Sequence, residues 1–200
     1  MNQGITGLDW PIRAHWLSRA RRVLSPNCDE RPDPADISLI VVHCISLPPG
    51  EFEGQWVEDF FCNRLAIQAH PFFSEIADLK VSSHVYIARD GGVVQFVPFH
   101  RRAWHAGESV FEGRAACNDF SVGIELAGED NTPYTSAQYV VLARVIAALQ
   151  AQYPATALHP VVGHCDIAPS RKTDPGPAFD WQKLREFGIT VGAADDGRSP

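Results

Sequence analysis

The sequence predicts an α/β fold in which helices flank a single mixed central β-sheet. Three patterns support this prediction: a β-branched apolar run ending at His43, an alternating stretch around Asp90-Gly91-Gly92, and a helical apolar stripe within residues 135–152. Strand-like and helix-like segments alternate, and the chain of 200 residues shows no internal repeat. We therefore expect one domain over residues 1–192 and a disordered tail over 193–200.

The first half of the chain contains one strong strand signal and one weak helix signal. The run SLIVVH predicts a buried central strand, and the PPG at residues 48–50 then forces a turn. From Trp56 to about Ala69 the pattern is weakly helical, which predicts a helix followed by a long surface excursion to Lys80.

The middle of the chain alternates clearly. The stretch VSSHVYIARDGGVVQFVPF predicts a β-hairpin with a tight turn of positive φ at Asp90-Gly91-Gly92. The segment DFSVGIEL predicts a further strand, with Gly123 and Glu125 on one side and an apolar set on the other. That apolar set is Val122, Ile124 and Leu126.

The last third predicts one long helix and two short elements. Thr135 or Ser136 can cap a helix that runs to about Gln152 and ends before Pro154. HPVVGH predicts a short strand, a proline-rich loop follows, and a last helix starts near residue 180. The apolar stripe of the long helix comprises Val140, Val141, Val145, Ile146 and Leu149.

Composition argues against several function classes. A net charge of −7 and a pI near 5.5 do not suit a nucleic-acid binder, which needs clustered lysine and arginine. No apolar run is long enough to cross a bilayer, and the first residues lack a secretory signal, so we expect a cytoplasmic protein without a membrane partner. The five cysteines are irregularly spaced without a C-x-x-C pair, which fits reduced thiols.

Three residues suggest a metal site. His43 and His164 each follow an apolar strand-like run, and open α/β sheets place ligand sites at the carboxyl ends of strands. A catalytic zinc ion takes three histidine or carboxylate ligands and leaves a fourth position for water. Asp174, in the proline-rich loop, is the natural third ligand, so the sequence predicts Zn²⁺ bound by these three residues.

Two further residues suggest amide hydrolysis. Glu125 lies opposite the apolar side of its strand and could receive a proton from metal-bound water as a general base. Lys172 shares a side with Asp174 in an extended KTD segment, where its ammonium group could stabilise an oxyanion.

Simpler interpretations compete with these assignments. A histidine at a strand end is more often structural than a ligand, and the H-E-x-x-H signature is absent. Glu125 could instead form a salt bridge with an arginine such as Arg114, and Lys172 could be an ordinary solvated lysine.

The remaining histidines and the cysteines are weaker candidates. His84 and His105 are rival ligands that we interpret as structural or substrate-lining. Trp104, beside His105 in the WHAG loop, could line the substrate groove or belong to the core. Cys44 and Cys165 are interpreted as small buried side chains, because no partner pattern singles them out as nucleophiles.

Four long motifs carry a family resemblance. GHCDIAPSRKTDPGPAFDW, VVHCISLPPGEF, RDGGVVQFVPFHRRAWHAG and CNDFSVGIELAGED resemble the AmpD-type anhydro-N-acetylmuramyl-L-alanine amidases, which are zinc-dependent type 2 amidases related to peptidoglycan recognition proteins. The resemblance implies the same roles as above: Zn²⁺ at His43, His164 and Asp174, Glu125 as proton acceptor and Lys172 as transition-state stabiliser.

The resemblance also implies a substrate and a setting. It implies cleavage of the lactyl–L-alanine amide bond of an anhydro-muropeptide during cell-wall recycling, which removes the inducing signal in bacteria with inducible β-lactamase. Asp174 favours the cytosolic branch, because related proteins often carry cysteine there, and we expect a monomer. Cys44 and Lys80 depart from the asparagine and arginine expected at those positions. The alternatives are a catalytically inactive muropeptide-binding module and a zinc peptidase of ordinary proteins.

Overall fold

The computed structural model describes residues 10–192, so the predicted tail over 193–200 lies outside the described residues. No helix among these residues is long and apolar enough to cross a membrane. The helices are α1 (Trp56–Phe61), α2 (Ser136–Gln152), α3 (His164–Ile167) and α4 (Trp181–Glu186). The strands are β1 (Ile12–Arg13), β2 (Trp16–Leu17), β3 (Arg21–Arg22), β4 (Cys28–Glu30), β5 (Leu39–Ile45), β6 (Val85–Ile87), β7 (Val93–Gln95), β8 (Arg101–Ala103), β9 (Val110–Phe111), β10 (Arg114–Ala115), β11 (Ser121–Ala127) and β12 (Val162–Gly163).

A six-stranded sheet with the order β12-β5-β11-β6-β7-β3 forms the centre of the fold. β12, β5, β11 and β6 run parallel, β7 runs antiparallel to β6, and β3 runs parallel to β7. The prediction of a mixed central sheet is therefore confirmed. Because the four parallel strands point the same way, their carboxyl ends meet at one edge.

The strand register aligns polar side chains in one row near that edge. Glu125 in β11 is paired with His43 in β5 on one side and with Tyr86 in β6 on the other. Gly163 in β12 is paired with Val42, so His164 follows at the level of His43. Residues paired across parallel strands share a face of the sheet, which brings this row together.

The long helix α2 packs on the opposite face. Its capping box is complete: Gln138 donates its backbone N–H to Thr135 Oγ1 at 3.1 Å, and Thr135 donates its own to Gln138 Oε1 at 3.0 Å. Val140, predicted as part of the apolar stripe, is only partly buried. The residues of the central sheet in this core are Ile40, Val42, Val85, Ile87, Val93, Val122, Ile124 and Leu126.

Three boundaries differ from the predictions. The helix predicted from Trp56 to Ala69 is wrong beyond Phe61, because the chain turns at Asn63, whose φ is +57°. Short 3₁₀ segments follow instead. The strand carrying His43 continues to Ile45, and His164 is the first residue of a short helix and not the last of a strand.

Candidate active site

Three ligand atoms from His43, His164 and Asp174 converge at the carboxyl edge of the sheet. The two Nδ1 atoms are 3.0 Å apart, and Asp174 Oδ2 lies 3.1 Å from each. A tetrahedral ion with bonds of about 2.0–2.1 Å separates its ligands by about 3.3 Å. The three predicted ligands thus form a cluster that could hold one metal ion.

The other ring nitrogen of each histidine contacts the protein. His164 Nε2 lies 3.1 Å from the carbonyl oxygen of Ala106, and His43 Nε2 lies 2.9 Å from His105 Nδ1. A carbonyl can only accept a hydrogen bond, so His164 carries its proton on Nε2 and directs the lone pair of Nδ1 into the cluster. This is the form in which histidine binds a metal.

The charges of the cluster also suit a divalent ion. Burial lowers the pKa of His43 to about 4, which keeps the imidazole neutral at neutral pH. Burial alone would raise the pKa of Asp174, but the contacts of its carboxylate with the imidazoles of His164 and His43 hold that pKa below its usual range. Two imidazole nitrogens and one carboxylate oxygen are the donor set of many catalytic zinc sites, so the residues fit this ion.

Glu125 lies beside His43 on the neighbouring strand and faces the same side. Its Oε2 atom is buried and has no hydrogen-bond partner, and the alternative salt bridge with Arg114 is absent because Arg114 pairs with Asp36. Burial and then the negative charge of Asp174 raise the pKa of Glu125 well above its usual value, although Lys172 opposes this shift. A carboxyl group with a raised pKa is a candidate for accepting and returning a proton during catalysis.

The loop that carries Lys172 and Asp174 is held at several points. Cys165 donates its backbone N–H to the Asp174 carbonyl at 3.0 Å, and Tyr134 Oη donates to the Pro175 carbonyl at 2.8 Å. Gly176 has a φ of +82°, and a Cβ there would lie 2.1 Å from the Cα of Asp130. The loop therefore packs directly on the residues that follow β11, which fixes the position of Asp174.

Lys172 is partly buried in this loop. Its backbone N–H donates to the Ala168 carbonyl at 2.9 Å. Burial dominates the pKa shifts of Glu125 and His43, and the ammonium charge of Lys172 opposes the rise at Glu125 and adds to the lowering at His43. The positive charge of Lys172 therefore lies close enough to influence both the candidate ligand His43 and the carboxyl group of Glu125.

The rival candidates do not contribute ligand atoms to the cluster. His84 accepts the Gly123 N–H at Nδ1 and, from Nε2, donates to the Arg101 carbonyl at 3.0 Å. His105 contacts His43 at Nε2, the ring nitrogen that faces away from the cluster. Trp104 is partly exposed and donates from Nε1 to Asp29 Oδ1 at 3.1 Å, and a substrate-lining role for Trp104 and His105 stays a prediction.

The thiols of Cys44 and Cys165, which follow the candidate ligands His43 and His164 in the chain, are not activated nucleophiles. Burial raises the pKa of Cys44 to about 12 and that of Cys165 to about 11. Since the thiolate is the reactive form, neither side chain is primed for attack at neutral pH. Both side chains are only partly buried, so the prediction that they are buried is wrong in that respect, because Cys44 faces the cleft beside Asp174.

A cleft of about 380 Å³ opens beside Asp174. The sequence analysis did not identify most of its lining, although the polar GED segment directly after β11 stands at a strand carboxyl end, where ligands commonly bind. The neighbours of Asp174 in the cleft are Cys44, Ser46, Gly128, Glu129, Asp130 and Asn131.

Comparison with known proteins identifies the family. A sequence model described as N-acetylmuramoyl-L-alanine amidase matches residues 33–177, a range that contains the three candidate ligands, Glu125 and Lys172. The chain belongs to the N-acetylmuramoyl-L-alanine amidase family. The resemblance found in the sequence motifs is thereby confirmed.

Individual members of the amidase family are similar over most of the chain. The Salmonella typhimurium protein named 1,6-anhydro-N-acetylmuramyl-L-alanine amidase AmpD is 59% identical over 170 residues, which are 85% of this chain and 90% of the relative. A crystal structure of an AmpD derivative matches with a TM-score of 0.86 and 56% identity, covering 88% of this chain and 98% of that chain. A complex of Escherichia coli AmiD with anhydro-N-acetylmuramic acid-L-Ala-D-gamma-Glu-L-Lys matches with a TM-score of 0.57 and 27% identity, covering 95% and 68%.

Proposed function

We propose that this amidase hydrolyses the lactyl–L-alanine amide bond of anhydro-N-acetylmuramyl peptides, with Zn²⁺ held by His43, His164 and Asp174. The observation that carries the proposal is the convergence of three ligand atoms within 3.1 Å of one another, in a chain 59% identical to an enzyme named for this substrate. The AmiD complex adds that a family member binds an anhydro-muramyl tripeptide at a related fold.

The residues of the site divide the chemistry among them. Zinc bound at the cluster would polarise the scissile carbonyl and lower the pKa of its water to roughly 7. Glu125, whose Oε2 is free to accept a proton, would take one from the attacking water and pass it to the leaving nitrogen of L-alanine. Lys172 would stabilise the negative charge that develops on the carbonyl oxygen.

The cleft beside Asp174 would receive the substrate, since it is open and borders the cluster directly. The partly exposed ring of Trp104 would pack against sugar or peptide. We further propose that the protein acts as a monomer in the cytoplasm. Light scattering of the purified protein and cell fractionation test these two statements, and a stable dimer or an envelope location would contradict them.

The experiment is a mass-spectrometric assay on an anhydro-muropeptide, before and after chelation and again after zinc add-back. We expect release of the free stem peptide that chelation abolishes and zinc restores. Asp174→Ala, which removes one ligand, should lose both bound zinc and cleavage. Binding without cleavage by a folded, zinc-loaded protein would instead support a muropeptide-binding module, and cleavage of peptides lacking the muramyl group would support a general zinc peptidase.

A further inference from the structure

Two adjacent residues outside the ligand set contact the two candidate metal-binding histidines at Nε2, the ring nitrogen that faces away from the cluster. His105 Nδ1 lies 2.9 Å from His43 Nε2, and the carbonyl of Ala106 lies 3.1 Å from His164 Nε2. We call residues 105 and 106 the buttress segment. A single displacement of this segment would disturb the orientation of both imidazoles at once.

The direction of the hydrogen bonds through His105 can be assigned from its far end. Ser121 Oγ donates to the Cys117 carbonyl at 2.6 Å, so its proton is committed there. Ser121 Oγ, 3.0 Å from His105 Nε2, therefore accepts a proton from that nitrogen. His105 Nδ1 is then an acceptor, which places the proton of His43 on Nε2 and leaves the lone pair of His43 Nδ1 for the metal.

The buttress segment is itself anchored from two sides. Asn118 Oδ1 accepts both backbone N–H groups of the segment, that of His105 at 3.0 Å and that of Ala106 at 2.8 Å. On the other side the imidazole of His105 lies against β11 at Gly123, where a Cβ would come within 2.4 Å of the ring. A glycine inside a strand is typical of such a close approach.

We propose that His105 is a positioning residue that fixes the tautomer of His43, and that Asn118 holds it in place, so that both residues set the affinity of the site for Zn²⁺. The proposal rests on the proposed function, because it requires zinc at the cluster. Loss of a hydrogen-bond partner behind a metal-bound histidine commonly weakens metal binding about 10–100-fold.

The test compares zinc dissociation constants measured by competition with a chromophoric chelator. His105→Leu keeps most of the side-chain volume but removes the acceptor, whereas His105→Asn loses volume but keeps an acceptor near the position of Nδ1. We expect about 10–100-fold weaker binding for His105→Leu and recovery of most of that loss in His105→Asn. His159→Leu, at a histidine remote from the cluster and paired with Glu112, should bind zinc as the wild type does.

A second pair of variants and a second measurement guard against misfolding. Asn118→Asp keeps an oxygen that can accept both backbone N–H groups and should bind zinc normally, while Asn118→Leu removes this acceptor and should weaken binding. Long-range proton–nitrogen correlation spectra of the zinc-free protein should show His43 protonated on Nε2 in the wild type and in a mixture of tautomers in His105→Leu.

The outcomes separate the two proposals. Failure of the wild type to bind zinc would contradict the proposed function. If the wild type binds zinc and His105→Leu and Asn118→Leu bind it with the same dissociation constant as the wild type, the positioning role is overturned. Weaker zinc binding by His105→Asn than by His105→Leu would also overturn it, because only the packing volume of the side chain would then matter.

Discussion

The two faces of strands β5 and β11 differ in the side chains that they carry near the carboxyl ends of the strands. On the face toward α2, Val42, Ile124 and Leu126 are fully buried in the large apolar cluster. On the other face, one residue further along each strand, His43 and Glu125 lie side by side, and His43 belongs to the cluster with His164 and Asp174. Near its carboxyl end, each strand thus places an apolar core residue on one face and a residue suited to chemistry on the other.

Stability and chemistry thus originate on opposite faces of the same two strands. Burial of apolar area on the α2 face holds the strands in register, and that register places the polar row. The polar row in turn contains a buried oxygen without a partner, Glu125 Oε2, which a structure selected for stability alone would avoid. Substitutions on one face should therefore change stability without chemistry, and those on the other should do the reverse.

The largest effect is expected for Glu125→Gln. The amide is nearly isosteric but cannot accept a proton, so kcat should fall about 10²–10⁴-fold while zinc stays bound at one ion per chain. Steady-state kinetics on an anhydro-muropeptide, with metal analysis of the same sample, measures both quantities. Turnover near that of the wild type would remove Glu125 from the mechanism.

A somewhat smaller effect is expected for Lys172→Met, which keeps the aliphatic stem but removes the charge. If the ammonium group stabilises the oxyanion, kcat should drop about 10²–10³-fold with unchanged zinc content. Lys183→Met, at a lysine whose ammonium group lies over the ring of Tyr139 and away from the cluster, is the matched control. An unaltered kcat in Lys172→Met would favour the interpretation of an ordinary solvated lysine.

The apolar face is probed by Leu126→Ala, which should cost about 2–5 kcal/mol of unfolding free energy with little change in kcat of the folded enzyme. Leu158→Ala is the matched control, because Leu158 is 80% exposed, and its effect should stay within about 0.5 kcal/mol. Chemical denaturation and kinetics at a temperature where both variants are folded provide the comparison. A large loss of kcat in folded Leu126→Ala would show that the two faces are not independent.

The smallest effect concerns the pH dependence of stability in the zinc-free protein. Glu125 has a raised pKa in the folded state, so above the unfolded pKa near 4.5 unfolding releases its proton. The stability that this group contributes is present below that pH and is lost as pH rises through the folded pKa. Relative to wild type, Glu125→Gln should thus gain stability from about pH 4.5 upward, as measured by urea unfolding with chelator present. Parallel pH profiles would contradict the raised pKa.

Much of the fold could be predicted because its main elements have clear periods. The alternation around Asp90-Gly91-Gly92 and the stripe after Thr135 correspond to the β6–β7 hairpin and to α2. The segment after Phe61 was misjudged because its weak pattern reflects irregular packing and not a helical face. Strands of two or three residues, such as β9 and β10, have no periodic signal at all.

The candidate ligands could be predicted from the sequence, but the residues that contact them from other segments could not. His43, His164 and Asp174 stood out because each is a polar residue next to an apolar or proline-rich segment, and the structure brings them together. The contact between His105 and His43 was missed because it depends on tertiary packing between distant segments. The one available signal was Gly123, since a glycine within a strand indicates that something approaches closely.

The most direct test of the central claim is zinc-edge anomalous diffraction from crystals of the purified protein. We predict one strong anomalous peak about 2.0–2.2 Å from His43 Nδ1, His164 Nδ1 and Asp174 Oδ2. A zinc-loaded crystal with no peak at these atoms, or with its zinc on other residues, would show that these three residues are not the zinc ligands.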